Sequence, residues 1–136
     1  IKIIQLKSLD ADLYPLIGPL VMNPKVLKAN NNYPFKTTEN YQWYIAVDDQ
    51  EEVVGFLPVE DKKNTSVINN YYLKEDDGEL LKLLFSQIDV EKDITAIVLS
   101  KHLDIFKKLG FKLEHQWTNY IKMIYTNTNK NEEKGN

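Results

Sequence analysis

Residues able to do chemistry are few and unevenly placed in this 136-residue chain. It holds no cysteine and two histidines, His102 and His115. That removes thiolate nucleophiles, disulfides and sulfur-based metal sites at once, and fits a reducing compartment. The histidines are far apart and lack carboxylates at matching spacing, so no metal site is expected. The densest charge cluster is Glu75, Asp76, Asp77 and Glu79 around Gly78, in YYLKEDDGELLKLL. It follows a β-type run (Val67, Ile68, Tyr71, Tyr72, Leu73) and opens a helical pattern. Strand, tight loop and helix start together can present backbone N–H groups to an anionic ligand. The acids compete for the same groups. Asp76 or Asp77 suits a helix N-cap, and Glu79, three residues after Asp76, completes a capping-box pattern. Each such carboxylate gains about 0.3–1 kcal/mol from the helix dipole. Against a bound anion it works the other way. Two unit charges about 4 Å apart interact by roughly 4 kcal/mol at an effective dielectric near 20. Lys74 alone does not offset four carboxylates. Both readings, an anion cradle and a helix start that fills its own anion site, stay open.

The elements that must position these residues follow from length and pattern. One domain of 1–125 with a polar tail, 126–136, is expected, with enough chain for a core of useful size. Hydrophobic content of 43% with 27% charged residues is ordinary for a globular protein. A net charge of −3 without a basic cluster gives no general attraction to nucleic acid or to an anionic membrane. No apolar run approaches the roughly 18 residues of a membrane span, no signal-peptide pattern is read, and a cytoplasmic location is expected.

Ile1–Leu6 reads as a strand, and Ala11–Met22 as an amphipathic helix with Ser8 and Asp10 as candidate caps. Pro15 fits the first turn of that helix, while Pro19 limits or kinks it. Pro24 starts a short helix through Ala29, and 30–34 form a loop. Tyr41–Val47 and Glu52–Val59 make an antiparallel hairpin; Gly55 signals a close backbone approach or a bulge, and Pro58 the end of regular pairing or an open edge. The run from Ser66 is a third strand. Gly78–Ile88 is a helix, Ile94–Leu99 a strand buried on both faces, and Ser100–Leu109 a helix stopped by Gly110. Phe111–Trp117 and Tyr120–Tyr125 close the chain as strands around Thr118-Asn119. The order is β-α-α-β-β-β-α-β-α-β-β.

That order, with the hairpin WYIAVDDQEEVVGFLPV, the strand–loop–helix of Val67–Leu84 and the segment HLDIFKKLGF ending in Lys108-Leu109-Gly110-Phe111, resembles the GCN5-related N-acetyltransferase (GNAT) superfamily. The resemblance implies an α+β fold, layered α/β/α, around a mixed, mostly antiparallel seven-stranded sheet. It implies acetyl-CoA as cofactor, its arm lying between splayed fourth and fifth strands and its pyrophosphate at the next helix start. Tyr72, Leu73, Lys74, Gly78, Glu79 and Leu80 then stand at the coenzyme-binding positions, mainly through their backbones. The partner it implies is a small-molecule or peptide amine, attacking the thioester while an acid protonates the leaving thiolate.

The family's loop usually reads Arg/Gln-x-x-Gly-x-Gly/Ala, and here only Gly78 remains of it. Aligning on Gly110-Phe111 puts Phe106 where the family commonly carries its acid tyrosine; core packing accounts for a phenylalanine there. His102, one turn earlier on the same face, is the candidate catalytic acid. Tyr33, Trp43, Trp117 and Tyr120 are candidates to line an acceptor cleft, and Glu60 and Glu114 are strand-end carboxylates. Asn69-Asn70 are disfavoured inside a strand, so either one of them faces the cleft or they mark a bulge or edge position. The alternative function is a catalytically silent GNAT-fold binding or regulatory module.

Overall fold

The structure is a computed structural model and describes residues 1–29, 35, 37–89 and 91–126. The strands are β1 (Lys2–Lys7), β2 (Tyr41–Val47), β3 (Val53–Asp61), β4 (Thr65–Ile68), β5 (Tyr72–Leu73), β6 (Asp93–Leu99), β7 (Lys112–Gln116) and β8 (Tyr120–Tyr125). The helices are α1 (Leu13–Val21), α2 (Pro24–Ala29), α3 (Gly78–Ser86) and α4 (Leu103–Lys108), the last entered through a 3₁₀ turn at Ser100–His102. No helix among the described residues is long and apolar enough to cross a membrane. Tyr33 and, apart from Thr126, the expected tail lie outside the described residues.

The sheet runs β1-β2-β3-β4-β6-β8-β7, with β5 attached to β3 beside this path. All pairings are antiparallel except β4 with β6. This is the expected layered α+β sheet, and the expected fourth strand is divided into β4 and β5. Residues 69–71 interrupt it where Asn69-Asn70 stand.

β2 shows why the layers form. Tyr41, Trp43, Ile45 and Val47 point one way and pack with Leu13 and Ile17 of α1. Tyr44 and Ala46 point the other way, into a cluster with Leu80, Leu81 and Leu84 of α3. Strand alternation thus supplies two apolar faces, and one helical layer covers each. β6 departs from expectation. Ile94, Ala96 and Val98 are buried against α3 and α4, while Thr95, Ile97 and Leu99 are only half-buried. The α1-side cluster is built on β2 and β3 and does not reach β6.

Helix ends follow local chemistry. In α1, Pro15 lies in the first turn and Pro19 sits inside without ending the helix. Asp10 and Ser8 turn elsewhere: Lys7 N–H donates to Asp10 Oδ2 at 2.7 Å, and Ser8 Oγ donates to the Tyr41 carbonyl at 3.1 Å. α4 ends at Gly110, whose φ of 105° lies in the left-handed region. Phe111 N–H donates to the Phe106 carbonyl and Gly110 N–H to the Lys107 carbonyl, both at 3.0 Å, the Schellman pattern.

Candidate active-site cleft

The cleft originates in a change of strand partner. β4 and β6 stay in parallel register through Ile68 and Ala96 and no further. Beyond that point Tyr72 and Leu73 stay with β3, while Ile97–Leu99 stay with β8. Residues 57–59 of β3, between its β5 and β4 pairs, have no registered partner on that side, and Pro58 sits in the middle of them. A residue without an N–H is tolerated there. Gly55 holds the other end: a Cβ there would lie 2.9 Å from the Tyr72 carbonyl oxygen. The close approach read from the sequence is therefore what seats β5.

The resulting V-shaped gap encloses a cavity of about 260 Å³. Tyr71, Tyr72, Leu73, Lys74 and Asp76 form one wall, and Leu99, Lys101 and His102 the other. Lys25 and Val26 of α2 and Phe35 close one side.

A polar chain crosses the gap. Leu99 N–H donates to the Tyr71 hydroxyl at 3.3 Å. The Tyr71 hydroxyl is hydrogen-bonded to His102 Nδ1. His102 Nε2 meets Asp76 Oδ1 at 3.1 Å, and Lys101 Nζ meets Asp76 Oδ2 at 2.8 Å. The carboxylate can only accept, which assigns the tautomer: neutral His102 carries its proton on Nε2 and donates to Asp76, leaving Nδ1 to accept from the Tyr71 hydroxyl. His102 and Tyr71 are 3% and 7% exposed, so burial sets their titration. Burial pushes the His102 pKa down, with Asp76 opposing and Lys101 assisting. Burial also raises the Tyr71 phenol well above its ordinary value. Asp76 is held low, first by the Lys101 hydrogen bond; burial opposes this, and the His102 hydrogen bond adds a smaller lowering. Its backbone takes a left-handed φ of 50°, which turns the side chain of an Asp at modest cost.

The loop ends in a closed helix start. Asp77 is the N-cap of α3, and its Oδ1 accepts from Glu79 N–H at 3.0 Å and Leu80 N–H at 3.3 Å. The Asp76–Glu79 capping box does not form, because Asp76 is turned into the cleft. Glu79 and Leu80 line a separate cavity of about 410 Å³, together with Asp48, Glu75 and Asp77. Of the six residues expected to face a coenzyme, Tyr72 and Leu73 line the cleft, Glu79 and Leu80 the acidic cavity, and Lys74 both. Gly78 is wedged against α4: a Cβ there would lie 3.3 Å from Ile105.

Other expected residues are dispersed. Trp43 is buried under α1, its Nε1–H donating to Thr37 Oγ1 at 3.0 Å. Trp117 is half-exposed and meets His115 edge-to-face. Glu114 pairs with Lys122 at 3.2 Å, and Glu60 lies within β3 opposite Val67. Tyr120 starts β8 opposite Leu99. Phe106 is fully buried and packs on Tyr71 and Phe111, as its apolar ring requires. Sequence reasoning missed Tyr71, Asp76 as the partner of His102, and Lys101. The Asn69-Asn70 interruption was the available signal, since it releases Tyr71 from strand geometry.

No protein-family model matches the chain, and no curated protein matches it. Solved structures do. Escherichia coli ElaA superposes with a TM-score of 0.71 at 13% identity, over 92% of this chain and 99% of that one. An acyl-CoA N-acyltransferase from Pseudomonas aeruginosa gives 0.67 at 12% identity, over 93% and 100%. Spermidine N-acetyltransferase from Vibrio cholerae, solved with CoA and spermine, gives 0.62 at 10% identity, over 93% and 96%. The chain has the GNAT fold.

Proposed function

We propose that this chain is an acetyl-CoA-dependent N-acetyltransferase of the GNAT type, acting on a small-molecule or peptide amine. The observation that carries the reading is the β5–β6 gap. One edge of β5 pairs with β3, leaving its other edge toward a cleft of about 260 Å³, where an extended thioester arm would lie. Backbone groups at Tyr72 and Leu73 would hold such an arm, and Tyr71, His102 and Asp76 would manage the proton. The arm therefore fits. The nucleotide end fits poorly: Asp77 already occupies two N–H groups of the helix start, and Glu75 and Glu79 flank it. Weak coenzyme affinity is the expected consequence.

That same capped helix start favours a second reading, a silent GNAT-fold binding module. Calorimetry and thermal shift with acetyl-CoA, followed by thiol release with a panel of primary amines, separate the two. No heat and no stabilisation at millimolar acetyl-CoA sinks the enzyme reading. Transfer to any amine sinks the silent one.

A further inference from the structure

We propose that Tyr71 is the proton donor to the departing sulfur, with His102 as its proton reservoir and Asp76 as the counter-charge. This rests on the acetyltransferase reading and assigns the acid within it. The argument begins with the hydroxyl's three neighbours. Tyr71 lines the cleft, accepts from Leu99 N–H, and meets His102 Nδ1. While His102 is neutral, the phenol proton points at Nδ1 and away from the cleft. One added proton on His102 reverses that bond. Nδ1–H then donates to the Tyr71 oxygen, Leu99 N–H occupies its other lone pair, and the phenol O–H turns to the cleft. Nε2–H stays on Asp76, which balances the new charge at 3.1 Å.

The step balances. The amine nitrogen forms the C–N bond, the C–S bond breaks, and the electron pair goes to sulfur. Sulfur takes the Tyr71 proton, and the Tyr71 oxygen takes the Nδ1 proton. The chain ends in the arrangement seen here. The proton lost by the amine leaves to solvent, and solvent recharges His102. A departing alkylthiolate has a conjugate acid near pKa 8.5, so it benefits from this proton. The groups facing the chain are Asp76 from the loop, Lys101 from the 3₁₀ turn, Tyr120 from β8, and Lys25 and Lys74 along the cleft walls. Asp76 favours the charged imidazole and Lys101 opposes it.

The test compares two donors in wild type and Tyr71→Phe: acetyl-CoA, and acetyl 4-nitrothiophenol, whose thiolate departs without a proton. With acetyl-CoA the variant is expected to lose about 10²-fold or more in kcat, as for a lost general acid. With the activated thioester it keeps its rate within about threefold. Asp76→Asn, which leaves the strand pairing intact, is expected to move the alkaline limb of the kcat–pH profile, where His102 loses its proton, to lower pH. Equal losses of Tyr71→Phe on both donors, or no loss on either, overturn the role of Tyr71 alone. Failure of wild type to transfer from either donor overturns the acetyltransferase reading, and this inference with it.

Discussion

Asp77 is where fold stability and coenzyme binding compete for the same N–H groups, so replacing it tests the closed helix start directly. Asp77→Asn keeps a side-chain oxygen for Glu79 N–H and Leu80 N–H and removes only the charge, since Asn caps as well as Asp. The stability cost is then the lost dipole interaction, about 0.3–1 kcal/mol. Asp77→Gly removes the oxygen as well and frees both N–H groups, at a further few tenths of a kcal/mol. The gain in affinity follows from Coulomb's law. Asp77 is exposed, so the water-like limit applies, about 1 kcal/mol per charge pair near 4 Å. A pyrophosphate brings two such charges, giving about 2 kcal/mol, or roughly 30-fold in Kd. Calorimetry with CoA should show a tightening of about 10–30-fold for Asp77→Asn and more for Asp77→Gly. Pantetheine, which lacks the nucleotide, should bind both variants and wild type alike. The CoA gain should shrink in high salt. A CoA Kd unchanged in both variants would refute the reasoning, because the pyrophosphate would then lie away from this helix start.

Other consequences follow from the same geometry. Gly55→Ala places a methyl 2.9 Å from the Tyr72 carbonyl and 3.0 Å from Leu80 Cδ2; it should cost about 1–3 kcal/mol in urea unfolding and weaken CoA binding, since β5 must shift. Thermal stability should fall as pH drops below about 6.5, the ordinary His value. The sign follows from the depressed folded pKa of His102: the unfolded chain binds the proton more readily, so the stabilisation is complete above the unfolded pKa and is lost toward the folded one. His102→Gln should flatten that part of the stability–pH curve, and an unchanged slope would count against the buried neutral imidazole.

Most of the architecture was legible locally. The β-rich run YQWYIAV, the helical spacing of Leu80, Leu81 and Leu84, and the Gly110 stop are short-range signals that the structure bears out. Gly55 and Pro58 were legible too, as departures from strand chemistry that needed a neighbour to explain them. The capping role of Asp77 was one of two local options, and its neighbour Asp76 was lost to the other wall of the cleft.

The residues by themselves determined the order of elements, the absence of thiol chemistry and the acidic helix start, because each depends on residue types and spacing over a few residues along one chain. Only the tertiary structure decided which groups share a proton. Tyr71, Asp76, Leu99 and His102 are brought together by β5 keeping β3 while β6 keeps β8, a long-range exchange of partners that no local period records. Burial then sets the titration of Tyr71 and His102, and burial belongs to the assembled layers.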